Sequence, residues 1–131
     1  MNTFRLIAAA AVFTLAGAVA HAADKAEKNE ARLARRLEGH TAGEPLSCIA
    51  LLNSNRLEVI EGVGLVYDSG DTLYVARPSD PKALGRDDIL VIDRFSAQLC
   101  NTDMVRTVDR QDGHFTGVVF LGKFVPYRKQ G

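Results

Sequence analysis

The chain has no Cys-x-x-Cys pair, no Gly-x-Ser-x-Gly elbow, no internal repeat and no excess of either charge. Each absence removes a class of function. Sixteen basic side chains (Lys+Arg 16) against 16 acidic ones give no electrostatic reason to expect a nucleic-acid partner. Two cysteines 52 positions apart, Cys48 and Cys100, do not form a dithiol redox motif. A serine nucleophile without its strained elbow, and a choice of only His40 or His114 as base in the later chain, leave little for a Ser-His-Asp site. Asp87 and Asp88 are adjacent and point to opposite sides of an extended chain, which is poor geometry for paired acid and base work. The acidic turn Asp68-Ser69-Gly70-Asp71 lacks the alternating ligands and terminal glutamate of a calcium loop, and no ligand pair has a short zinc-type spacing. No metal or other cofactor is expected.

Also missing is any apolar run of about 20 residues, the length needed to span a bilayer. What stands at the start is shorter: a charged segment, residues 1–5, an Ala-rich apolar segment, residues 6–20, and Ala20-His21-Ala22, which fits the small-x-small cleavage rule. Residues 1–22 read as a signal peptide cut after Ala22, with Ala18-Val19-Ala20 as a competing site. No cysteine follows for lipid attachment, so the expected product is a soluble periplasmic or secreted protein with no stable membrane anchor after cleavage. Removal of Arg5 leaves 15 basic against 16 acidic side chains, a net charge near −1. A mature chain of 131 − 22 = 109 residues holds one core. In an oxidising compartment Cys48 and Cys100 read most simply as one disulfide; two free thiols would suit a cytosolic protein.

Residues 23–45 are read as a helix and a linker, and residues 46–131 as a β domain. Residues 24–38 contain no Gly or Pro and are rich in Ala, Lys, Glu, Arg and Leu, with Asp24 as N-cap and Gly39 as stop. The apolar face is thin, essentially Leu33 and Leu37, so this helix is expected to be dispensable for the β domain. Lys25, Lys28, Arg32, Arg35 and Arg36 form a basic stripe, which suits either an anionic surface or simple solvation beside Glu27, Glu30 and Glu38.

Two hairpins organise the rest. Residues 104–110 and 114–121 flank Asp112-Gly113, a type I′ turn pair, whose register would set Val105 opposite Phe120 and Thr107 opposite Val118 on one buried face. Residues 63–67 and 72–77 flank the acidic turn, where a four-residue loop avoids placing Asp68 against Asp71. Residues 46–52 are a short strand or helical turn, residues 57–60 a brief strand, residues 78–88 a long connection pinned by Leu84, and residues 89–95 a strand covered on both faces. Five to six short strands and one helix predict an all-β fold: a small antiparallel barrel of the oligonucleotide/oligosaccharide-binding kind, or a barrel-like sheet, with a two-layer sandwich as the other arrangement.

Residues 99–110, Leu-Cys-Asn-Thr-Asp-Met-Val-Arg-Thr-Val-Asp-Arg, and residues 117–128, Gly-Val-Val-Phe-Leu-Gly-Lys-Phe-Val-Pro-Tyr-Arg, resemble small exported proteins of proteobacteria that carry a domain of unknown function. The likeness spans residues 48–128. It implies export and a disulfide, and it brings no activity, substrate or site residue. The resulting expectation is a non-enzymatic binding or interaction module of the bacterial envelope, acting on an unknown envelope protein or polymer. The alternative is a small cell-wall-modifying or hydrolytic enzyme, which needs His114, Asp109 and Asp112 to converge with a nucleophile. Pro126 cannot donate to a ladder, which places Phe124, Tyr127 and Arg128 at an edge, either as a docking site or folded back as a plug.

Overall fold

The computed structural model describes residues 17–85 and 87–130, with side chains from Asp24 onward. Most of the expected signal peptide, residues 1–16, lies outside the described residues. Helix α1, Gly17–Arg36, runs through the expected cleavage point and through Asp24, so Asp24 is not its cap. It stops where the sequence says it should. Gly39 takes a left-handed φ of 76°, and the His40 N–H reaches back to the Leu37 carbonyl at 3.1 Å.

Ten strands follow: β1 His40–Ala42, β2 Cys48–Ala50, β3 Leu57–Ile60, β4 Gly64–Asp68, β5 Thr72–Pro78, β6 Asp88–Asp93, β7 Gln98–Cys100, β8 Met104–Asp109, β9 Phe115–Val119 and β10 Leu121–Lys129. They form three antiparallel sheets, ordered β1-β10-β5-β4-β3, β2-β7 and β6-β8-β9. Among the described residues the sheets do not close into a barrel: β3 pairs only with β4 and β6 only with β8. The fold is layered. One face of the five-stranded sheet, with Leu65, Tyr67, Ala76 and Phe124, packs on Val105 and Val119 of the three-stranded sheet and on Ile49 and Leu99 of the two-stranded one. The other face, with Ile60, Val66, Leu73 and Val75, packs under Leu33 of α1. Strand alternation explains both: Leu65 and Tyr67 point one way and Val66 the other, so β4 is apolar on every residue that counts.

The helix is anchored rather than loose. Leu33 is 1% exposed. Around it Lys25 pairs with Glu61 at 2.8 Å, Arg32 with Glu58 at 2.7 Å, Arg36 with Glu58, and Glu30 with Arg77. The Asn29 amide also donates to the Glu61 carbonyl at 2.9 Å. Lys25, Arg32 and Arg36 of the basic stripe are therefore engaged by the carboxylates of Glu58 and Glu61 in the same chain. The helix covers an apolar sheet face that its removal would expose, a closer docking than the thin apolar face led one to expect.

Three strand readings also change. The hairpin of β8 and β9 is slipped by one residue, with Val105 opposite Val119 and Thr107 opposite Gly117. The turn is longer than two residues: Asp109 and His114 close it, the Asp109 carboxylate accepts the Gln111 N–H at 2.7 Å, and Gly113 supplies the left-handed φ of 75°. A bulge at Thr116 then resets the pairing. Because side chains alternate, that slip puts Val119 in the core and turns Phe120 out to solvent. Strand β6 is an edge strand whose Ile89 is exposed, not a strand covered on both faces. Strand β10 is central, between β1 and β5. Pro126 is tolerated there because its missing donor faces the β1 side just where β1 has ended, and its carbonyl still accepts the Gly43 N–H at 2.7 Å.

Candidate functional site

The expected disulfide is present. Cys48 and Cys100 face each other directly across β2 and β7, and their sulfurs are bonded. The Cys100 N–H goes to the Asp103 carboxylate at 2.7 Å and the next ladder bond is Asn101 to Ser47. The cysteines thus occupy a non-hydrogen-bonded pair, where side chains approach most closely.

The expected docking residues do not share a surface. Phe124 is 1% exposed, in the core between the sheets. Tyr127 points the other way and packs, partly buried, on the helix-side cluster. Arg128 is exposed beyond both, opposite Thr41. Burial takes Phe124 out of any docking surface.

A surface of the same chemistry lies instead on the outer face of the three-stranded sheet. In the observed register Ile89, Met104, Phe115 and Phe120 lie on this side or at its corner, and they are 41%, 57%, 61% and 70% exposed. Taking roughly 200 Å² per large side chain, they leave about 450 Å² of apolar surface in total, divided between the Ile89–Phe115 and Met104–Phe120 ends of the face. Arg106 crosses the face and pairs with Asp93 at 2.7 Å. The signal was present in the sequence as Phe115, Phe120 and Met104 in one hairpin, but the assumed register buried Phe120.

At one end of the same sheet Asp109, Asp112 and His114 converge, with ligand atoms all within 4.8 Å of one another. They are the residues that could hold a divalent ion. The His114 imidazole is held above its ordinary value, first by its hydrogen bond to Asp112 and then by that carboxylate's charge, with Asp109 and Asp88 adding to it. Asp112 is pulled below its ordinary value, first by the His114 backbone N–H and then by the ring. These are the three side chains that the hydrolytic alternative needs to converge with a nucleophile. Among the described residues no hydroxyl or thiol is hydrogen-bonded to His114, and both His114 and Asp112 are exposed to solvent. Nearby, the hydroxyl of Thr116 sits 2.8 Å from that of Thr107, which satisfies this buried polar side chain, and 3.0 Å from the Asp88 carboxylate.

Two open cavities border these elements. One, of about 670 Å³, lies between α1 and residues 80–85; the other, of about 740 Å³, lies between β3 and β6. No described helix is long and apolar enough to cross a membrane. No family model matches the chain, and neither the curated proteins nor the solved structures give a match.

Proposed function

We propose that this chain is an exported, non-enzymatic interaction module of the bacterial envelope, and that it docks a protein partner through the outer face of the β6-β8-β9 sheet. The observation that carries this reading is the exposed apolar side chains of that face: aromatic and methionine residues with one arginine, the composition enriched at protein interfaces. The disulfide fits an oxidising compartment, and the resemblance of residues 99–110 and 117–128 to small exported proteobacterial proteins supports the same address. The test uses the mature protein and its Phe115→Ser/Phe120→Ser variant as baits in an envelope extract. A partner retained by the first and lost by the second, with equal melting temperatures, supports the reading; identical capture by both overturns it. N-terminal sequencing of exported material should begin at Ala23, and a start at Met1 would refute export with cleavage.

The convergence of Asp109, Asp112 and His114 is the one observation that favours the hydrolytic alternative. That reading predicts an activity abolished by His114→Ala, and an activity unaffected by this change would exclude His114 as its base.

A further inference from the structure

The open arrangement of the sheets leaves two strand edges, unpaired among the described residues, bordering one groove. Strand β3 is an edge of the five-stranded sheet and β6 an edge of the three-stranded sheet, and both line the 740 Å³ cavity between them. Its wall carries Leu57, Val59, Leu90 and Ile92, core side chains left only partly buried where the layers part. An edge strand presents a row of backbone donors and acceptors without a ladder partner, and here that row stands beside incompletely covered apolar side chains. The ligand that satisfies both at once is an extended peptide whose main chain continues the ladder and whose alternate side chains fall into the groove.

We propose that the groove binds an extended peptide by strand addition to β6, antiparallel to it, with an acidic side chain or a terminal carboxylate at the Arg110 end. Strand β6 is the template because it offers six residues against four in β3, about 20 Å of ladder. Arg110 sets the direction. It follows Asp109, which is paired with Asp88 at the start of β6, and it lines the same cavity. Its guanidinium has no ion-pair or hydrogen-bond partner among the described residues. The neighbouring Asp88 carboxylate is engaged by the Gly85 N–H at 3.2 Å and by Thr116. A peptide antiparallel to β6 brings its C-terminal end to this cation, where a carboxylate makes a charge-assisted pair. This site meets the outer face only at Ile89, which also lines the groove, and otherwise uses the edge of the sheet and the side chains that point inward.

The probe is an acetylated hexapeptide of alternating valine and threonine ending in aspartate with a free carboxylate, titrated into isotope-labelled, disulfide-intact protein and followed by amide NMR and hydrogen exchange. Strand addition predicts shifts and slowed exchange at residues 88–93 with smaller shifts at residues 57–60. It also predicts several-fold weaker binding to Arg110→Gln, and loss of binding when alternate peptide nitrogens are methylated. Shifts confined to Met104, Phe115 and Phe120, unchanged binding of the methylated peptide, or no shift at millimolar peptide would each overturn the proposal. So would a concentration-dependent dimer that protects residues 88–93 without peptide, since the edge would then belong to a second copy.

Discussion

The five-stranded and three-stranded sheets contribute to one core, yet their other faces are treated in opposite ways. Ile60, Val66, Leu73 and Val75 on the far side of the larger sheet are buried because α1 lays Leu33 across them and fastens itself with Lys25, Arg32 and Arg36. Ile89, Met104, Phe115 and Phe120 at the far side of the smaller sheet have no such cover among the described residues. The chain therefore covers one apolar sheet face with its own helix and leaves the other bare. The first adds to stability through burial under the helix, and the second is exposed among the described residues.

The difference is broken most directly by two truncations four residues apart. Phe124→Ala removes a buried aromatic side chain and should cost about 3–5 kcal/mol. Phe120→Ala, on the exposed corner between β9 and β10, should change stability by no more than about 0.5 kcal/mol. Urea denaturation of the two variants measures both, and equal losses would mean that the outer face is covered after all.

Next in size is the Cys48–Cys100 bridge, which joins the smallest sheet. A closed loop of about 53 residues is worth roughly 4 kcal/mol on the chain-entropy model, a large part of the 5–15 kcal/mol of a typical domain. The sheet it staples has only three residues per strand, and Ile49 and Leu99 reach the common core from it. Mass spectrometry should find no free thiol in the oxidised protein, and reduction should lower the melting temperature markedly; an unchanged melting temperature would refute the energetic assignment.

The helix gives the third comparison. Leu33→Ala should cost about 2–5 kcal/mol, because it opens a cavity over the larger sheet. Arg32→Ala breaks only an exposed pair with Glu58 and should cost about 0.2–1 kcal/mol. If the arginine change proved the costlier, charge rather than burial would be holding α1 in place.

What the sequence made legible follows the range of the interactions involved. Local chemistry was readable: Gly39 as the helix stop, the hairpin at the acidic turn (whose loop is residues 69–71, one residue shorter than the expected four), Leu84 pinning the long connection, and the pairing of the only two cysteines. Register and layer were not. Asp112-Gly113 signals a turn, but the Asp109 carboxylate and the bulge at Thr116 decide its length, and one residue of slip exchanges Val119 for Phe120. Pro126 suggests an edge until the short length of β1 is known. The convergence of Asp109, Asp112 and His114 is local and was within reach of sequence reasoning, whereas the groove between β3 and β6 depends on strands some 30 positions apart and was not.

The smallest effect belongs to the tip of the bare sheet, where His114 and Asp112 meet. The histidine is held above its ordinary value of 6.5, so the stabilisation from this pair is fully present below pH 6.5 and is lost as pH rises through the raised folded value. Asp112 sets the other boundary. Its folded value lies below 3.8, so its contribution is present above pH 3.8 and lost as pH falls through the lowered value. The pair therefore works in a window from about pH 3.8 up to the histidine's raised value, and since both groups are exposed the effect on global stability should be small. NMR titration of the His114 ring should give a midpoint above 6.5 that returns toward 6.5 in Asp112→Asn. A midpoint unmoved by that change would show that the ring and the carboxylate do not pair in solution, and the hairpin tip would then have no more electrostatic organisation than the apolar face beside it.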